Sequence, residues 1–130
     1  MKKIYLLISI LLMIVLSCSK DDSDSNANNS SLIIGKWSIV KSTDSSPLLP
    51  CDLTSWSEFK KGGTGNDYDD CTKETASVTW SITGDVLTVT SSTLPIPFAM
   101  KIVSLTQTSM VLSFSDFGGV TSQTTYKRIN

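Results

Sequence analysis

The sequence has no histidine. No imidazole can act as general base, proton shuttle or metal ligand, which removes the usual start for hydrolytic and metal-assisted chemistry. Basic residues nowhere cluster, so nucleic-acid binding has no electrostatic footprint. Long apolar runs are absent after residue 17, and from there on no helical period appears either. With 130 residues the chain has room for one domain.

What is present begins with a short greasy leader. Met1-Lys2-Lys3 gives a positive start, and thirteen apolar or near-apolar residues follow from Ile4 to Leu16. Thirteen helical residues rise only about 20 Å, against roughly 30 Å of bilayer hydrocarbon. A charged start, a short apolar middle and a small residue before the cut predict a secretory signal over residues 1–17. A retained helical anchor is the alternative. Removal of Lys2 and Lys3 with the leader leaves nine basic against twelve acidic residues, a net charge near −3.

Three cysteines, at 18, 51 and 71, are an odd number for an exported protein. Cys18 follows Val15-Leu16-Ser17, which resembles the bacterial lipobox, although Leu16 is bulkier than the small residue usual there. The resemblance implies that Cys18 is acylated, with chains such as palmitate, and becomes the first residue of the mature protein. Two or three chains at about 0.8 kcal/mol per buried methylene hold a protein firmly where one chain does not. Lys20-Asp21-Asp22 resembles the Lys-plus-acidic signal that sends Bacteroidota lipoproteins to the outer face of the outer membrane; a merely solvated tether is the alternative. Residues 18–31, rich in Ser, Asp and Asn, predict a flexible tether with too little apolar surface to order itself.

From Leu32 to Asn130 the chain reads as strands. "GKWSIVKS" sets Trp37 and Ile39 against Lys36 and Ser38. "SWSEFK" ends at the glycine-rich turn "KKGGTG". "ASVTWSI" places Ala76, Val78, Trp80 and Ile82 on one face. "VLTVTS", "FAMKIVSL", "MVLSFSD" and "TSQTTYKRI" follow, the last two joined through Phe117-Gly118-Gly119, and a weak eighth strand runs from Thr64 to Asp69. Short strands at regular spacing predict an all-β sandwich or barrel. Serine and threonine, 37 of the 130 residues, suit strands with one solvated face. Hairpin-length connections favour a small antiparallel up-and-down β-barrel of about eight strands over residues 32–130, which leaves no exposed edge.

These residues also carry a family resemblance. "LIIGKWSIVKS" looks like the opening of the lipocalin-like domains of Bacteroidota lipoproteins, an apolar pair followed by Gly-x-Trp (Gly35, Trp37). Cys51 precedes the second strand, with its Phe59 and Gly63-Thr64 turn, and Cys71 precedes the strand bearing Trp80. "IVSLTQTSMVLSF" runs into a last strand closing on Thr125-Tyr126-Lys127-Arg128. The resemblance implies an arginine packed across the Gly-x-Trp tryptophan at barrel closure, a part that falls to Arg128. Trp37 should then lie at the closed end, with Trp80 and the Pro95–Met100 segment at the open end. Most such small lipoproteins have no defined ligand.

Cys51 and Cys71, in an oxidising compartment, are expected to form a disulfide rather than serve as a nucleophile or metal pair. The chain calls for no cofactor. "NDYDD" offers Asp67, Asp69 and Asp70 as oxygen ligands for calcium, yet lacks the glycine and terminal glutamate of an EF-hand loop; a solvated acidic loop is the alternative. Glu58 and Glu74 could serve as a hydrolytic carboxylate pair only if the fold brought them together. An enzyme is not expected.

The remaining candidates are large side chains: Trp37, Trp56, Phe59, Tyr68, Trp80, Phe98, Met100 and Phe114. An eight-stranded barrel is just wide enough to be filled by such residues or to hold one small ligand. "TLPIPFAM", confined by Pro95 and Pro97 to an edge, bulge or rim, could form a lip through Leu94, Ile96 and Phe98. The expected function is a lipid-anchored binding module of the outer membrane, facing the cell surface, with Trp80, Ile96, Phe98 and Met100 against a small apolar ligand. The rival is an accessory protein with a filled barrel that docks on a protein partner. The anchor has a direct test. Cys18→Ala should move the protein from the membrane to the soluble fraction, and persistent membrane association of that variant would refute acylation at Cys18.

Overall fold

Alternation of large apolar and small polar residues makes each of these segments a strand with one buried face. The computed structural model describes residues 23–130. The leader, Cys18 and Lys20-Asp21-Asp22 lie outside the described residues. Helix α1 covers Ser23–Leu32, and eight strands follow: β1 Gly35–Ser42, β2 Trp56–Lys60, β3 Thr64–Asp69, β4 Glu74–Thr83, β5 Val86–Ser91, β6 Phe98–Leu105, β7 Ser109–Ser115 and β8 Thr121–Ile129. Each strand pairs with the next in antiparallel fashion and β8 pairs back onto β1, closing the barrel. The weak segment Thr64–Asp69 is a full member, pairing with both β2 and β4.

The register assigns two poles. Gly35 opposes Phe59 and Trp37 opposes Arg128, so the start of β1, the β2–β3 turn and the end of β8 share one pole. The β4–β5 and β6–β7 turns lie there too, as the meander requires. The β1–β2, β3–β4, β5–β6 and β7–β8 connections form the opposite pole.

The first pole is plugged. Ile33, Trp37, Phe59, Leu87, Ile102, Met110 and Leu112 form one buried cluster, flanked by the partly buried Trp80 and Ile82. Trp37 is fully buried, and its indole N–H donates to the Ile33 carbonyl at 2.8 Å. Arg128 lies across the indole face, its guanidinium carbon 4.3 Å from the ring centroid. The same guanidinium donates to the carbonyls of Leu32, Ile34 and Gln107. Gly35 is the residue it passes. A Cβ at that position would overlap the guanidinium, and the backbone there has φ +134°, a conformation open to glycine.

Two departures from simple strand reading occur. Register skips between Ile39 and Lys41 and between Ile102 and Ser104 leave Val40 and Val103 about half exposed on the outside. Such bulges bend a strand and raise its local twist, which a closing sheet uses. The other departure corrects the tether. Ser23–Leu32 is helical, although its composition predicts a flexible segment and its sequence carries no apolar stripe. The composition argument weighs only apolar burial. Here the end of the helix is held from outside: Arg128 takes the Leu32 carbonyl, Ile33 is buried in the plug, and its N–H bonds the Asn29 carbonyl at 3.0 Å. Orphan carbonyls of a last turn are thereby satisfied.

Arg128→Ala removes a buried cation–π contact and leaves three carbonyls without their charged donor. A loss of about 2–4 kcal/mol is expected, read as a lower urea midpoint at unchanged slope. Gly35→Ala should fall in the same direction; a shift under about 0.5 kcal/mol in both would show that closure does not depend on this contact.

Candidate functional site

The opposite pole is hollow. Inward positions there run out of bulky residues: Ser57, Ala76 and Ser91 replace the side chains that fill the plug. Two adjoining concavities result. One, about 310 Å³, is walled by Phe59, Val89, Phe98, Met100, Met110 and Leu112, with Leu94 and Ile96 at its lip. The other, about 420 Å³, reaches down to Trp37 and Ile39 and is bordered by Asp52, Asp69 and Glu74. Ser57, Asp67, Ser91 and Tyr126 line both and form the seam between them.

Asp67 and Tyr126 are the chemistry of this seam. On β3, Asp67 has the inward parity of Gly65 and opposes Ala76. Tyr126 opposes Ile39 from β8. Burial pushes the Asp67 carboxyl above its ordinary range, a rise moderated by a hydrogen bond from Ser57. Burial, with the nearby Asp67 charge adding to it, pushes the Tyr126 phenol up to about 12. No lysine or arginine among the described residues lines either concavity.

The residues singled out in the sequence distribute unevenly around this cavity. Ile96, Phe98 and Met100 line its apolar part. Phe98 also stacks on Phe114, with centroids 4.4 Å apart. Trp80 does not line the cavity, which corrects its placement at the open end. Its indole N–H donates to the Lys60 and Thr64 carbonyls at 3.1 and 2.9 Å, and its ring meets Phe59 edge-on at 5.8 Å. The reason is height along the axis: the Trp80 backbone N–H donates to the Gly63 carbonyl in the β2–β3 turn, at the plugged pole. Trp56 and Tyr68 are not interior filling either. They stack on each other, 5.6 Å between centroids, on the outward parity of β2 and β3, with the Lys36 ammonium 4.1 Å over the Trp56 ring, and they border the larger concavity from its rim.

The aspartates of "NDYDD" take three different tasks rather than one ligand set. Asp67 points into the cavity, and Asp69 caps the Cys71 N–H at 2.8 Å. Asp70 accepts from Tyr68, Thr54 and Lys73 at 2.9, 2.7 and 2.7 Å. The bond from Lys73, with those from Thr54 and Tyr68, holds the Asp70 carboxyl down at about 2. Beside it Cys51 and Cys71 form a disulfide, with Cα atoms 5.0 Å apart, that joins the β1–β2 and β3–β4 connections. Closing a loop of this size contributes about 3 kcal/mol in the chain-entropy model. Glu58 faces outward beside Lys60 at 3.4 Å, whereas Glu74 stands at the mouth, so the two are no hydrolytic pair.

The closed eight-strand meander resembles other proteins in its fold. A family pattern described as a lipocalin-like domain fits residues 33–112. The chain belongs to the lipocalin-like domain family. Two solved structures resemble this lipocalin-like barrel: a lipocalin-like protein from Bacteroides uniformis, at TM-score 0.57 and 14% identity, and an uncharacterized protein from Bacteroides eggerthii, at 0.57 and 13%. Each alignment covers 75% of this chain and 99% of the other. At such identities the likeness concerns the fold. No curated protein matches the chain.

In the lipocalin-like barrel no lysine or arginine among the described residues lines the cavity beside the Asp67 carboxylate, so its burial costs stability. Its raised pKa sets the sign. Stability associated with the protonated form is fully present below the unfolded value of 3.8 and is lost as pH rises through the elevated folded value. Asp67→Asn should therefore melt higher than the parent at neutral pH, by an amount on the order of 1 kcal/mol. The gap should close in acid, as thermal unfolding across a pH series will show. Asp70 has the opposite sign: its contribution is present above 3.8 and is lost as pH falls through about 2.

Proposed function

We propose that this lipocalin-like protein is a binding module that takes a small apolar ligand into the hollow pole of its barrel, while lipid on Cys18 tethers it to the outer membrane, facing the cell surface. The observation that carries the proposal is the apolar concavity of about 310 Å³. It falls at the lower end of the range for small-molecule sites and has the expected make-up, mostly apolar walls with a few convergent polar groups. Burial of apolar surface in such a site supplies the affinity, at about 25 cal/mol per Å² before the costs of association. Nothing at the seam forms a nucleophile–base pair, so the proposal contains no catalytic step.

The tether part rests on the "VLSC" junction and on Lys20-Asp21-Asp22. A competing role, docking on a protein partner, draws support from the lip, where Leu94 and Ile96 are more than 60% exposed and Phe98 is 45% exposed. An accessory subunit has no use for an unfilled interior, and this favours the ligand reading.

Ser91 lines both parts of the cavity near the strand end, so an indole there fills the throat without entering the plug. The neutral fluorophore N-phenylnaphthylamine should bind the parent and lose at least about tenfold in affinity in Ser91→Trp, with the thermal midpoint retained. Equal binding by both proteins would place the probe elsewhere and refute the cavity as the site.

A further inference from the structure

The cavity has an apolar body and an acidic doorway, and this combination narrows the ligand class. Every ionisable side chain lining it is a carboxylic acid or a phenol: Asp52, Asp67, Asp69, Glu74, Tyr68 and Tyr126. The inward cation nearest in sequence to the seam, Arg128, is committed at the plugged pole to three carbonyls and the face of Trp37. Resting on the ligand-binding reading above, we propose that the ligand is a small amphiphile with a cationic amine head, the head held at Asp67 and Tyr126 and the apolar body lying against Phe98, Met100 and Leu112.

Three considerations support the head group. Anionic heads, such as those of fatty acids, would be drawn out of water to face carboxylates with no donor cation, which opposes binding. A neutral hydroxyl gains hydrogen bonds at the seam but leaves the Asp67 charge unpaired. An ammonium donates to the Asp67 carboxylate and to the phenol oxygen of Tyr126, and supplies a countercharge that no described lining residue provides. The surrounding Asp52, Asp69 and Glu74 add a field of the same sign along the way in, which raises the local concentration of cations. The size of the apolar concavity, about 310 Å³, suits a medium-length chain or a single aromatic ring rather than a long lipid tail.

Octylamine, octanol and octanoate share one tail and differ only in the head. They are to be titrated by calorimetry at neutral pH into the exported Cys18→Ala protein, so that no bilayer competes for the probes. Octylamine is expected to bind tighter than octanoate by on the order of tenfold or more, with octanol between. Asp67→Asn should bring octylamine to within about twofold of octanol, whereas Asp44→Asn, an exposed carboxylate outside the cavity, should leave the order intact. Equal affinity for amine and carboxylate, a preference for octanoate, or an amine preference that survives Asp67→Asn would each overturn the head-group proposal while leaving the binding module standing. If none of the three binds, both readings fall.

Discussion

The guanidinium of Arg128 holds four separate parts of the chain at one point. It takes carbonyls from the end of α1, from the residue before β1 and from the β6–β7 turn, while its own strand closes against β1. A guanidinium is suited to this because its donors are fixed in a planar fork and its face stacks on an indole. Closure of β1 on β8 removes the two edges an open eight-stranded sheet would present. Everything else follows from which pole is gathered. Trp37, Ile33 and Leu87 pack together at the pole that Arg128 closes, whereas towards the other pole Ser57, Ala76 and Ser91 stand at inward positions and leave a hollow between apolar walls.

Much of this could be read from the residues. Alternation in Ala76, Val78, Trp80 and Ile82 gave the inward face of β4, and Gly35-x-Trp37 with Arg128 pointed to the closing strands. What alternation does not give is height. Period two says whether a side chain faces in or out, but its position along the axis depends on the stagger between strands, and for that reason Trp80 was expected at the mouth and lies at the plug. The same limit hid Asp67 and Tyr126. The segment Thr64–Asp69 reads from sequence as a weak strand without a marked face, and pairing with β2 and β4 supplies the parity that turns Asp67 inward. A usable signal existed in Gly65: it is buried, and a Cβ there would strike the Glu58 carbonyl, which marks a packed inward position with Asp67 two residues on. The helix Ser23–Leu32 was unreadable for another reason, since its end is organised by partners nearly a hundred residues away.

Two aspartates of one short segment carry opposite contributions to stability, and the proposed ligand site uses the unfavourable one. Asp70 gains from its charge, being surrounded by Tyr68, Thr54 and Lys73, and it sits beside the disulfide at the rim. Asp67, three residues earlier, is destabilised by its charge and is kept where a ligand can reach it. A strained or unpaired group retained inside an otherwise consistent fold is the usual mark of a site rather than of packing. The rim disulfide and the Asp70 network offset that loss close to where it arises.

The rim disulfide has one more consequence. Two of the four connections around the mouth, those bearing Cys51 and Cys71, are stapled to each other and laced through Asp70, whereas the β5–β6 connection opposite is exposed from Ser92 to Pro97 and held by bonds at its start, around Ser91–Thr93, and one turn bond from the Ile96 N–H to the Leu94 carbonyl. The doorway is thus built like a jaw with one fixed and one yielding side. The fixed side adjoins the carboxylates and the yielding side is the apolar lip. A guest of the proposed kind would meet a rigid gauge for its polar end and a compliant one for its length, so variants that differ in tail should be accepted far more readily than variants that differ in head.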